Sequence, residues 1–505
     1  HPVAHSFPTR RSSDLPDGKI EAGSAGDIEL KGKSLVLEAE LRGHSLIGEA
    51  GGAITLHTDT LIVDQDGPLL SPGFGFDDAL PDDLKEKLIF KQNQPAGTGF
   101  SHIKLISYKD LTFAANTLLE PSRIKMAFPK PSASNAVAGG NLNAEESIDI
   151  KGLTKDGETE YVRVPLEYLG DSSIAAKAGQ PVVGAQEISA EIDTDTVYVE
   201  PNATIKVAPE GTITLSGLIT DIAGKLIAPS GDINLAASGE LRDLIIRNGS
   251  SISATGYNRE IPESYIFGRG YQYDILDGGS VTLTAKSGSI FAEPGSLIDV
   301  SGSKPVNGIV YQADGGIITK TLAGKAGSLT LNYLNESTLD GELSGHAYSE
   351  TVHGASLSIN KENLFFSMTV DQNDIARYIG AGFDAVSLSS FKELSFSGNI
   401  SINGDQAGKP LLRRLALDAP LISGNEADQK ISFAATEIML ANTQAKYGDS
   451  SEQISYFNLV GETRSLEAGD GGTRLTLGGE YIGIKGSVAV SGFNAVSLEA
   501  KKDIR

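Results

Sequence analysis

One short unit recurs along most of this chain: glycine, a small or polar residue, an aliphatic residue, a polar residue, an aliphatic residue. It occurs as Gly26-Asp27-Ile28-Glu29-Leu30, Gly52-Ala53-Ile54-Thr55-Leu56, Gly211-Thr212-Ile213-Thr214-Leu215 and Gly231-Asp232-Ile233-Asn234-Leu235. Later copies are Gly279-Ser280-Val281-Thr282-Leu283, Gly288-Ser289-Ile290, Gly327-Ser328-Leu329-Thr330-Leu331 and the looser Gly354-Ala355-Ser356-Leu357-Ser358-Ile359. Alternation of period two marks a strand that buries one face. The leading glycine suits a positive-φ turn or a tight corner between strands. The copies at Gly211 and Gly231 begin 20 residues apart, a length that suits one solenoid coil. Hairpins show the same alternation, but they call for two-residue Asn-Gly or Asp-Gly turns, and most junctions here are of another kind. The expected fold is all-β, a parallel β-helix with loop and short-helix insertions.

A longer unit points the same way. Gly99-Phe100 is followed by Ile103, Leu105, Ser107, Tyr108, Lys109, Leu111 and Phe113. Gly382-Phe383 is followed at the same offsets by Val386, Leu388, Ser390, Phe391, Lys392, Leu394 and Phe396, and Gly492-Phe493 by Val496, Leu498, Ala500, Lys501, Lys502 and Ile504. The phenylalanine after glycine is expected to stack inside the coil. The chain stops at Arg505, one residue before the third copy would place its last aromatic, so a cut in mid-coil is expected there. Each coil needs its neighbours to complete its hydrogen bonds and its core. About 380 residues in coils of about 20 would make about 19 coils and a rod of about 90 Å.

Composition agrees with thin stacked coils. Tryptophan is absent, methionine numbers 3 and aromatics make up 6%, as a narrow aliphatic interior requires few large side chains. The lack of cysteine excludes disulfides, thiolate metal sites and cysteine nucleophiles. The 65 acidic and 42 basic residues leave a net charge of −23, which opposes nucleic-acid phosphates and anionic membranes. The acidic residues are scattered and read as solvated strand faces and turns. No run of about 18 apolar residues predicts a transmembrane segment, and no signal peptide opens the chain.

Residues 1–15 stand apart. Their run SFPTRRSSDL resembles translated sequencing adapter; the other reading is a basic, disordered tail. Solenoid coils are expected over 16–65. Residues 66–98 form an irregular insertion with Pro68, Pro72, Pro81 and Pro95, and a helix-compatible piece at 82–88. Coils resume over 99–256, with an irregular run at 121–141. Residues 257–277 form an aromatic-rich insertion, and coils continue over 278–505. Within them 365–379 has a short helical pattern, with Asp371 or Asn373 as its cap.

The stretch GFDAVSLSSFKELSF at 382–396 resembles the filamentous haemagglutinin family of large exoproteins. So does GSVTLTAKSGSIFAEPGSLIDVSG at 279–302, whose ending pairs Gly295 and Ser296 with Ile298, Asp299, Val300, Ser301 and Gly302. The likeness is best over 211–505 and fades before about Gly99. It implies a right-handed parallel β-helix (β-solenoid), two-partner secretion through an outer-membrane transporter, and a role in adhesion or biofilm at the cell surface. Family members engage that transporter through an N-terminal domain with an NPNG or NPNL motif, which this sequence lacks, so the chain resembles an interior shaft segment.

The rival classes are a β-helical polysaccharide lyase or hydrolase and a glycan- or protein-binding module. Such enzymes gather aspartates on one solenoid face, for acid-base work or to hold calcium. Asp77-Asp78 and Asp82-Asp83 are acidic pairs, and Arg123-Ile124-Lys125 matches a short string of β-helical polygalacturonases whose companion strings are missing here. The histidines His1, His5, His44, His57, His102, His346 and His353 have no zinc spacing. Asp277-Gly278-Gly279, Asp314-Gly315-Gly316 and Asp470-Gly471-Gly472 resemble pieces of calcium-binding nonapeptides but are isolated, so they read as turns. No catalytic residue, metal or cofactor is expected, and the chain is read as no enzyme. The candidate ligand contacts are Tyr257, Tyr265, Phe267, Tyr271 and Tyr273, with Arg259 and Arg269 among them. Tyrosine offers a flat apolar face and a polar tip to a host or neighbour-cell glycan or protein; the other reading is that this segment folds back over an open flank.

Overall fold

The computed structural model describes residues 25–505 except 39–40, 44–50, 69, 76, 93–99, 122–125, 130–146, 154–158, 170–186, 193–195, 241, 261–272, 312–316, 406–407 and 444–471. The alternating units lie on one another as parallel strands of a β-helix. A long sheet takes fourteen levels in chain order, from Ile28–Lys31, Ala53–Thr58 and His102–Ser107 to Arg474–Lys485 and Ala495–Ile504. Its middle strands are Thr212–Gly217, Asp232–Ala237, Ser280–Ala285, Ser328–Tyr333 and Ala355–Lys361. A second sheet stacks Leu111–Phe113, Thr196–Val199, Ile219–Ile222, Leu244–Ile246, Ile290–Ala292 and Ser337–Leu339. A third stacks Leu118–Leu119, Thr204–Lys206, Lys225–Ile227, Ser251–Ser253, Leu297–Asp299 and Glu342–Ser344. From His102 to Ser344 the coils are three-sided. Beyond Ala355 a sheet of Met368–Val370, Leu394–Phe396, Leu421–Gly424 and Ala489–Ser491 replaces the second and third.

The period-two pattern places its aliphatics inside. Ile213, Leu215, Ile233, Leu235, Val281, Leu283, Leu329 and Leu331 are all buried, each over its partner one coil away. Burying one such side chain is worth about 1.5–3 kcal/mol. Phe100 and Phe383 stack inside their coils as the Gly-Phe unit predicts, while Phe493 is half-buried against the same core.

The leading glycines serve close approach rather than positive φ, since none of Gly52, Gly231, Gly279 and Gly327 has a positive φ. A Cβ on each would fall well inside 3.0 Å of the carbonyl oxygen of the glycine one coil before. Those carbonyls are engaged: Gly211 O accepts from Asp232 N at 2.9 Å, and Gly231 O and Gly279 O accept from Ser280 N and Ser328 N at 3.0 Å. Positive φ falls instead on the residue before two of the unit's glycines, at Glu210 (67°) and Ser230 (52°), on Gly382 (91°), and at the corner between the second and third sheets, at Asn116 (63°), Asn202 (63°), Gly249 (79°) and Gly295 (84°). There Thr117, Ser250 and Ser296 each donate a hydroxyl to the carbonyl three residues back, at 2.6–2.7 Å. This explains the run from Gly295 to Gly302: a left-handed glycine, a serine closing the turn, and buried Ile298 and Val300. Asp299 then accepts from Ser301 N at 2.9 Å.

Several excursions differ from expectation. The segment 82–88 forms a 3-10 turn, Asp82–Leu84, and then a strand, Lys87–Lys91. That strand pairs in parallel with Thr60–Asp64 on the side away from Leu111–Phe113, so the chain steps back one level. Between Leu119 and Glu187 an antiparallel sheet of Met126–Pro129, Ser147–Leu153 and Thr159–Leu169 interrupts the coils. An unforeseen hairpin pairs Val306–Tyr311 with Ile317–Leu322. The helix Gln372–Gly380 starts at Asp371, whose side chain accepts from Asn373 N and Asp374 N. Because excursions consume so many residues, the described residues form fourteen levels against the expected 19, and these levels stack to about 60 Å.

Candidate functional site

Each coil must turn from its last strand back into the long sheet. Where nothing intervenes the turn is short: Gly211 N donates to Ala208 O at 2.9 Å and Gly231 N to Ala228 O at 3.0 Å. The antiparallel sheet, both hairpins, the loop 345–354 and the helix Gln372–Gly380 all leave from this one corner. Insertions gathered along one edge of a solenoid make the natural place for contacts.

The aromatic-rich insertion is a hairpin of Tyr257–Glu260 and Tyr273–Leu276. Tyr257 and Tyr273 are half-buried, and the ring of Tyr273 lies 3.2 Å from where a Cβ on Gly308 of the second hairpin would sit. Asn258 Nδ2 donates to Lys304 O at 2.6 Å, so the two hairpins pack side by side. Tyr265, Phe267, Tyr271 and Arg269 lie outside the described residues. Arg259 anchors the hairpin. It is 3% exposed and donates to Asp274 Oδ2 at 3.0 Å and to Glu210 Oε2 at 2.8 Å. The structure thus brings Tyr273 into a packing role and leaves Tyr257 partly open.

A second cluster at this corner was not legible in the sequence. Asp384 accepts from Gly354 N at 3.0 Å and from Arg413 Nε at 3.3 Å, with His353 Nδ1 at 3.7 Å. These residues sit about one coil apart in the chain, and only coil spacing would have joined them. His353 is largely exposed. On the other side of the prism Arg247 grips Asp221 with two nitrogens, at 3.0 and 2.8 Å, and reaches Glu293 at 3.0 Å. The Asn248 N–H and then Arg247 hold the Glu293 carboxyl below the usual glutamate range. Asp221 keeps the Arg247 guanidinium charged still more firmly than usual.

Asp77, Asp78 and Asp83 are exposed; Asp78 accepts from Gly75 N at 2.6 Å, and Asp82 pairs with Lys85. Arg123, Ile124 and Lys125 lie outside the described residues. Asp277 accepts from Lys325 N at 2.8 Å and so braces a corner. His57 pairs with Glu29 at 3.1 Å and His102 with Ser101 at 2.9 Å. Among the described residues no three His, Asp or Glu side chains converge as a metal would need, and no helix is long and apolar enough to cross a membrane. Comparison with family models, curated proteins and solved structures finds no match to this chain.

Proposed function

We propose that this chain is a shaft segment of an exported bacterial surface adhesin of the filamentous haemagglutinin kind. The observation that carries the reading is the parallel long sheet, fourteen levels over one continuous core among the described residues, with most of the excursions leaving from one corner. A stack whose every level is held by its neighbours is stiff along its axis and suits a projecting stalk. The family-like run at 279–302 supplies the three strands of one coil, Ser280–Ala285, Ile290–Ala292 and Leu297–Asp299, and the two corners between them. Export would use an outer-membrane two-partner transporter through a region outside this chain, and adhesion would engage a glycan or protein on a host or neighbouring cell.

The test is direct. Antibodies raised against 278–505 should label intact cells of the bacterium that encodes the chain, and in-frame loss of the coils should reduce attachment or biofilm. Labelling only after lysis would remove the surface role. Release of reducing ends or unsaturated uronides from polysaccharide by the purified chain would replace the shaft with a carbohydrate-active enzyme.

A further inference from the structure

The outer face of the long sheet is distinguished by its charge. On the five successive strands from Thr212–Gly217 to Ala355–Lys361 the outward positions are hydroxyl, amide or alanine side chains and Asp232; Lys361, at the end of the last strand, turns its ammonium to Ser367 O at 3.0 Å. The chain as a whole is 21% charged. Charge returns at both ends, with Lys104 below and Arg414 beside Glu437 above. The central column runs straight through Thr214, Asn234, Thr282, Thr330, Ser358 and Ser387, paired one on the next in register. All six are half-buried, and none makes a side-chain hydrogen bond to a described residue.

We infer that this face binds a neutral polysaccharide strand laid along the stack, an inference that rests on the adhesin reading above and names its ligand class. Shape is the first argument. The patch is about 24 Å long and about 13 Å wide at usual strand spacings, well short of the roughly 800 Å² that each partner of a stable protein pair buries. A narrow, straight, repeating surface fits a linear polymer instead. Charge is the second argument. A chain of net −23 repels polyanions, and the one cation on these strands, Lys361, is held by Ser367 O at one edge, so the matching ligand is uncharged. Chemistry is the third. A donor and acceptor recurs at each coil, about 4.8 Å apart, a step similar to one sugar ring along an extended glycan. No aromatic platform lies on these five strands' outward positions, so each ring contact is weak and binding accumulates by repetition.

The experiment uses the whole purified chain in sedimentation with insoluble cellulose, chitin and β-1,3-glucan, with polygalacturonate as the acidic control. At least one neutral polymer should retain the protein, soluble oligomers of four rings should compete at least tenfold more weakly by mass, and polygalacturonate should not retain it. The double variant Thr282→Glu/Thr330→Glu should lose retention tenfold or more. Thr282→Val/Thr330→Val, which keeps a β-branched shape, should weaken it while circular dichroism stays unchanged. No retention on any neutral polymer overturns the inference and leaves the shaft reading to the cell-labelling test. Retention unchanged in both double variants, or dimerisation through this face in sedimentation velocity, also overturns it.

Discussion

Gly279 shows how finely single positions are determined. Its Cβ would overlap the Gly231 carbonyl that already accepts a hydrogen bond from Ser280. Gly279→Ala should therefore push two coils apart and lower stability by about 1–3 kcal/mol, read as a fall in the urea midpoint. Gly26, with nothing within 4 Å of a Cβ, is the control: Gly26→Ala should change stability by less than about 0.5 kcal/mol. At Gly295 the reason is different. Its φ of 84° makes Gly295→Ala cost about 1–2 kcal/mol, whereas Gly295→Asn should cost less, because Asn116 and Asn202 hold the same corner at 63°. The repeat marks each glycine in the sequence without telling these two causes apart, since backbone proximity between residues about 20 to 50 apart is invisible there.

At the scale of elements, the hairpin at the corner depends on Arg259. Removing the guanidinium by Arg259→Ala takes away the ion pair that Asp274, itself only 12% exposed, makes across the hairpin. The expected loss is about 3 kcal/mol in the hairpin, seen as faster hydrogen exchange and protease cleavage there while Val281–Leu283 stay protected. The ladder of Asp221, Arg247 and Glu293 ties three coils together and has a pH signature. A carboxylate held below its ordinary value stabilises the fold above about pH 4.5, and that contribution is lost as pH falls through the lowered value. Glu293→Gln should flatten the acid limb of stability against pH measured by urea denaturation. Both groups are partly exposed, so salt should reduce the effect.

For the whole molecule, stability is a sum over stacked neighbours, so the ends are weaker than the middle. Amides of Ile28–Lys31 and Ala495–Ile504 have a partner strand on one side only among the described residues. They should exchange with solvent at least a hundredfold faster than those of Ser280–Ala285, which has partners on both sides. Equal protection throughout would mean a single cooperative unit and contradict the additive picture.

Alternation, glycine spacing and the Gly-Phe unit determined by themselves that strands bury one face, which residues form the core, and that neighbouring coils supply the missing bonds; Phe100 and Phe383 lie where that pattern puts them. They left the partner of each strand open, because period two is the same in a coil and in a hairpin. Lys87–Lys91 buries Leu88 and Phe90 as a solenoid strand does yet slips back beside Thr60–Asp64, and Val306–Tyr311 pairs antiparallel with Ile317–Leu322. Nor does the sequence place His353, Asp384 and Arg413 together, or align the uncharged column of the long sheet. Only the tertiary structure decided those matters, because they depend on which coil lies above which, and that is set by how many residues each excursion removes from the stack.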